Sequence, residues 1–221
     1  MSTEMDASIR RLPVYLMLDC SGSMAGEPIA AMQMGLNALV DELRGDPYAL
    51  ETVWLSVVTF ASTAEQAVPL TDINEFLTPG LDAGGTTALG EGFDVLLERI
   101  QAEVRMTSDE SKADWRPMVF LFTDGEPTDD WRSPATRFRH ANRATLIACG
   151  AGPEVNDAIL GELSDTVVRL DNTRPGTLSS FLKWVTASVT SASKSLGTGR
   201  GDVALPPYTP DSKPLLETTN E

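Results

Sequence analysis

The stretch Leu12-Pro13-Val14-Tyr15-Leu16-Met17-Leu18-Asp19-Cys20-Ser21-Gly22-Ser23 decides how this chain is read. Leu12 to Leu18 is a continuous apolar run with the length of a buried strand. It ends in a carboxylate and two hydroxyls at alternate positions, Asp19, Ser21 and Ser23. Oxygen donors of this kind suit hard divalent cations. Gly22 lets the loop turn sharply enough for the three oxygens to converge. Taken alone, Asp-x-Ser-x-Ser reads equally well as a turn whose hydroxyls satisfy loop backbone.

Two later segments shift that balance. Gly84-Gly85-Thr86-Thr87 precedes Leu89, Phe93, Leu96, Leu97, Ile100 and Val104, which are spaced for one face of a helix. Met118 to Phe122 is a second apolar run, and it ends in Thr123-Asp124-Gly125. An Asp and two Ser thus follow one strand, a Thr precedes a helix, and an Asp follows another strand. In an open parallel sheet, ligands bind outside the carboxyl ends of the strands where strand order reverses. Three loops on that edge can meet there.

The rest of the chain alternates in the same way. Further strands are expected at Val53 to Phe60, Ala144 to Cys149 and Thr166 to Leu170, with Met118 to Asp124 as the fourth strand and Gln66 to Leu70 as a short antiparallel edge. A helix opens at Pro28 and carries Ile29, Met32, Leu36, Leu39, Val40 and Leu43 on one face; Gly45 and Pro47 end it. Others are expected around Pro134 to Asn142, over Val155 to Leu163, and along a closing stretch marked by Leu178, Phe181, Leu182, Val185 and Val189. Alternating strands and helices predict an α/β fold, a doubly wound and mostly parallel central sheet with helices on both faces. Residues 1–10 read as a flexible N-terminus and 11–193 as one domain. Residues 194–221, rich in Pro, Gly, Ser and Thr, read as a disordered tail. The Arg200-Gly201-Asp202 triplet in that tail is taken as chance.

Composition narrows the function. The 221 residues are 42% apolar, enough for one sizeable core without disulfides. Net charge is −15, from 32 acidic against 17 basic residues, which argues against a nucleic-acid partner. No stretch approaches the ~20 apolar residues that span a bilayer. Met1 to Ser8 has no basic segment followed by an apolar one, so the expected location is the cytoplasm, with no membrane partner. Cys20 and Cys149 are expected to be reduced and buried. The single histidine, His140, lies outside the motifs, no GxGxxG follows the first strand, and no Walker-type Lys is present. A phosphohydrolase of haloacid-dehalogenase type also begins with an Asp after its first strand. It wants a second Asp two residues later, where this chain has Ser21. The expectation is therefore a non-enzymatic protein, with that phosphohydrolase as the alternative.

The order Asp19-x-Ser21-x-Ser23, then Thr, then Asp124 resembles the metal-ion-dependent adhesion site of the von Willebrand factor type A family, over roughly residues 10 to 190. Thr86 and Thr87 are neighbours; Glu91-Gly92 stands at the family's usual distance beyond Thr87, so Thr87 is the expected ligand. Arg11-Leu12-Pro13-Val14-Tyr15, Gly26-Glu27-Pro28-Ile29, Asp46-Pro47-Tyr48-Ala49-Leu50-Glu51 and Thr123-Asp124-Gly125-Glu126-Pro127-Thr128 are similar to a narrower group. These are the bacterial tellurium-resistance Y-type proteins, stand-alone cytoplasmic members of the family. Cys20 stands where many relatives carry Thr, with its side chain expected to point away from the metal.

The resemblance implies a divalent cation, Mg²⁺ (or Mn²⁺ or Ca²⁺), held by Asp19, Ser21, Ser23, Thr87 and Asp124. It also implies a protein partner that completes the metal's shell with an Asp or Glu carboxylate, within a tellurium-resistance or stress-response system containing a protein phosphatase and a kinase-like protein. Glu126, Asp129 and Asp130 are expected at the rim of the site, as a solvated acidic loop or as charges that select the partner's surface.

Overall fold

The computed structural model describes residues 10–107, 112–197 and 205–208. Six strands form one sheet: β1 (Leu12–Asp19), β2 (Val53–Phe60), β3 (Ala64–Asp72), β4 (Met118–Thr123), β5 (Thr145–Ala151) and β6 (Thr166–Leu170). Their order is β3-β2-β1-β4-β5-β6. All neighbours are parallel except β2 and β3, which form an antiparallel edge. The expected doubly wound α/β architecture is therefore what the chain adopts. Strand order reverses between β1 and β4, and the crevice at their carboxyl ends is where such sheets bind ligands.

Alternation along β1 assigns its side chains to two cores. Leu12, Val14, Leu16 and Leu18 face α1 (Glu27–Gly45) and α6 (Pro175–Gly197), where they meet Met32, Leu36, Phe181 and Val185. Tyr15 and Met17 face α3 (Leu89–Glu103), α4 (Arg132–Ala141) and α5 (Asp157–Leu163), where they meet Phe93, Leu96, Phe138 and Leu160. The two-residue period of a strand buried on both sides produces this division. Among the described residues no helix is long and apolar enough to cross a membrane.

Some element limits differ from the sequence reading. A short helix, α2 (Pro47–Thr52), follows α1 where only a helix stop was expected. Its first turn is stabilised by Asp46, whose Oδ1 accepts from the Tyr48 and Ala49 amides at 3.0 and 3.1 Å. β4 ends at Thr123, so Asp124 opens the following loop instead of closing the strand.

Residues near both ends of the described region make packing contacts. Arg10 is anchored: its Nε donates to the Ala113 carbonyl at 2.7 Å, and its guanidinium lies 3.5 Å from the Trp115 ring centre. α6 continues to Gly197, past the expected limit at residue 193. Leu205 and Tyr208 then pack on the α1–α6 core. Trp184 Nε1 donates to the Pro206 carbonyl at 2.8 Å, and the Trp184 and Tyr208 rings meet edge-on at 5.9 Å. Two apolar side chains suffice to seat residues 205–208 where the core and the Trp184 ring receive them. Residues 1–9, the Arg200-Gly201-Asp202 triplet and residues 209–221 lie outside the described residues.

Candidate metal centre

β1 delivers Asp19 fully buried at the crevice. Its Oδ1 accepts from the Ser21 amide at 2.8 Å, which bends the chain back over the strand end. Gly22–Met24 then make one 3-10 turn. That turn brings the Ser21 and Ser23 hydroxyls within 3.0 Å of each other. Ser23 Oγ donates to Asp124 Oδ1 at 2.7 Å. Thr123, the last residue of β4, donates its hydroxyl to Asp19 Oδ2 at 2.7 Å. Both carboxylate oxygens of Asp19 are thus engaged, one from its own loop and one from the neighbouring strand. The role of Thr123 is absent from the sequence reading; its position beside Asp124 at a strand end was the available signal.

The second loop is tied to the first through backbone. Gly84 N–H donates to the Cys20 carbonyl at 2.9 Å, and Gly22 N–H donates to the Gly85 carbonyl at 3.1 Å. Gly85 sits at φ +78°, and a Cβ there would run into Ser62, so no other residue fits there without strain. The adjacent threonines separate at this point. Thr86 is exposed, and its amide donates to Ser62 Oγ at 3.1 Å, toward the β2–β3 turn. Thr87 is only 6% exposed. Its Oγ1 lies 3.8 Å from where a Cβ would stand on Gly125, facing the loop that carries Asp124. The structure therefore brings Asp19, Ser21, Ser23 and Asp124 into one hydrogen-bonded set and turns the Thr87 hydroxyl toward the same loop.

Burial raises the pKa of Asp19, and hydrogen bonds from Ser21 and Thr123 only partly oppose it. Asp124 is raised by burial first and by the charges of Asp19 and Glu154, against the hydrogen bond from Ser23. Neither carboxylate takes part in an ion pair among the described residues. Two buried carboxylates with no countercharge are costly unless a cation joins them. Among the described residues no group of three or more His, Cys, Asp and Glu is placed to hold a metal. This site has two carboxylates, and its remaining donors are hydroxyls. Such a set fits a hard cation with spare positions for water or a further ligand.

Cys20 packs into the α1–α6 core, away from these oxygens. Burial, with the charges of Asp19 and Asp82, pushes its thiol up to about 12. Cys149 is enclosed in β5, and His140 is exposed in the last turn of α4.

The three acidic rim residues have distinct placements. Glu126 Oε1 accepts from Asn156 Nδ2 at 3.1 Å, and Asp130 is exposed. Asp129 is a cap instead of a free surface charge: its two oxygens accept from the Gly90 and Glu91 amides, each at 3.0 Å, at the start of α3.

Comparison with known proteins bears on this geometry. Residues 14–176 match the von Willebrand factor type A domain model. No curated protein matches the chain. Among solved structures, proximal thread matrix protein 1 of the mussel byssus, with a zinc-occupied MIDAS motif, has 20% identity and a TM-score of 0.60, over 82% of this chain and 48% of its own. A von Willebrand factor type A protein from Catenulispora acidiphila has 18% identity and a TM-score of 0.62, over 83% of this chain and 43% of its own. The manganese-loaded TRAP protein of Plasmodium vivax has 20% identity and a TM-score of 0.51, over 73% of this chain and 69% of its own. The chain spans less than half of the mussel protein, and at these identities the likeness is one of fold. The family match covers most of the described sheet and helices, and this chain belongs to the von Willebrand factor type A domain family.

Proposed function

We propose that this chain is a non-enzymatic, divalent-metal-dependent protein-interaction domain. Asp19, Ser21, Ser23, Thr87 and Asp124 would hold the ion, Mg²⁺ by donor type, with Mn²⁺ or Ca²⁺ as substitutes. The observation that carries this reading is the pair of buried carboxylates, Asp19 and Asp124, converging with hydroxyls at the reversal of strand order without a countercharge. Zinc and manganese in two structures of the same fold support the use of a divalent ion. When bound, the ion supplies an incompletely neutralised positive charge at which a partner's Asp or Glu becomes the dominant contact.

The finer reading follows the resemblance of the sequence phrases. The domain serves a bacterial tellurium-resistance or stress-response system in the cytoplasm, with a protein phosphatase and a kinase-like protein as partners. Affinity capture from a bacterial extract with the full chain as bait, washed with Mg²⁺ or with chelator, tests both levels. Partners released by chelator support the metal-dependent reading, and their identity decides the system. Capture that persists in chelator places the interaction on another surface.

A further inference from the structure

α3 begins without a cap of its own. The residue before it is Ala88, which makes no side-chain hydrogen bond to the helix, so its first amides need acceptors from elsewhere. The Leu89 amide donates to the Thr87 carbonyl at 3.0 Å, and the next two find acceptors in the loop after β4. Asp129 accepts from Gly90 and Glu91, each at 3.0 Å, and its negative charge sits favourably at a helix N-terminus. Just upstream, Thr87 and Thr128 are joined twice. The Thr87 amide donates to Thr128 Oγ1 at 3.1 Å, and the Thr128 amide donates to the Thr87 carbonyl at 2.9 Å. Gly90 allows the close approach, because a Cβ there would stand 2.5 Å from the Asp130 carbonyl oxygen and 2.9 Å from the Trp131 α-carbon. Four hydrogen bonds thus clamp residues 87–91 to residues 128–129, and the clamp spans the two loops that carry Thr87 and Asp124.

We propose that Thr128 and Asp129 are positioning residues of the metal centre. They fix Thr87 against the Asp124 loop, so that the two loops present their oxygens as one body. This rests on the metal-site reading given above. A metal site needs its ligands held by a supporting shell, and changes to that shell typically cost about 10- to 100-fold in metal affinity. Thr128 stands at the exposed surface, with its hydroxyl accepting from the Thr87 amide. Its hydroxyl acts through the Thr87 amide.

The test is calorimetric titration of the full chain with Mg²⁺ and with Mn²⁺, alongside melting curves in chelator. Thr128→Val removes the acceptor for the Thr87 amide and keeps the backbone bond. It is expected to weaken metal binding about tenfold or more, with the melting temperature in chelator almost unmoved. Thr128→Ser keeps the hydroxyl and is expected to restore wild-type affinity. Asp129→Asn is the second variant: it retains one of the two amide bonds, and its affinity should also fall. Wild-type protein that binds neither ion removes the metal reading and the positioning role with it. Wild-type protein that binds while Thr128→Val binds equally well overturns the positioning role alone. Equal weakening by Val and Ser, or a loss of affinity matched by a loss of stability in chelator, assigns Thr128 a purely structural part and also overturns the proposal.

Discussion

Ser23 and Asp124 stand 101 residues apart in the chain, yet the serine hydroxyl donates to the aspartate carboxylate at 2.7 Å. The contact joins the loop after β1 to the loop after β4, the two strands between which the sheet reverses order. A central pair of parallel strands brings its two following loops together whatever their separation in sequence. The contact is also one that a cation would replace, since both oxygens are candidate ligands.

The first prediction concerns those oxygens. Asp19→Ala and Asp124→Ala should each weaken Mg²⁺ binding by more than the ~100-fold upper range of outer-shell changes. Thr87→Ala should weaken it more than Thr86→Ala, because Thr87 faces Gly125 whereas Thr86 bonds to Ser62. Isothermal titration of the four variants measures this, and a reversed order for the two threonines would show that Thr86 is the ligand.

Metal binding should be sensitive to pH over an unusually high range for carboxylates. Burial raises both Asp19 and Asp124 in the metal-free fold. A pKa raised on folding contributes stability below the unfolded value, ~4 for Asp, and that contribution is lost as pH rises through the raised value. The metal-free fold should therefore lose this contribution as pH rises from ~4 through the raised pKa values, while the ionised pair becomes competent to bind. The rise in melting temperature on adding Mg²⁺ should grow over the same range. Paired melts with Mg²⁺ and with chelator, from acid to neutral pH, check the sign.

Chelation should leave the fold in place. The two cores on either face of the sheet are built from apolar contacts that do not involve the ion. Far-UV circular dichroism should be nearly unchanged in chelator. At a hundredfold excess over Kd, Mg²⁺ should add about 2.7 kcal/mol of stability. Unfolding on chelation would make the ion structural instead.

The two thiols should be silent in the native state. Burial and nearby carboxylates push Cys20 up to about 12, and burial pushes Cys149 above the ordinary thiol value. Raising a thiol pKa lowers its thiolate fraction at pH 8, and the thiolate is the reactive form. Ellman's reagent should titrate neither thiol in buffer and both in denaturant. Rapid labelling of Cys20 in the native protein would show that the first loop opens.

The C-terminal segment should matter for stability. Deleting residues from 205 onward removes Leu205 and Tyr208 from the α1–α6 core and takes Tyr208 off the Trp184 ring. The expected cost is about 2 kcal/mol, the scale of burying one large apolar side chain. Denaturant melts of the shortened chain check it; Mg²⁺ affinity should be unaffected, because the segment packs on Trp184 and the α1–α6 core and not on the five candidate ligands.

Residue order alone was enough for the α/β class, the parallel sheet with its antiparallel edge, and the three oxygen-bearing loops. Those features rest on local periodicity: Leu12 to Leu18 and Met118 to Phe122 are apolar at every position because strands β1 and β4 are covered on both faces. Tertiary structure decided what depends on distance between remote residues. It directed Thr87 and Thr86 to different loops and set Thr123 on the Asp19 carboxylate. It made Asp129 the cap of a helix that begins some forty residues earlier, since an orphan amide N–H donates to the nearest carboxylate in space regardless of its place in the chain. It also seated Tyr208 on Trp184 and Leu205 on the same core, where a polar composition had suggested no packing. A composition average cannot register two well-placed side chains, and their burial depends on the aromatic surface that the fold turns toward them.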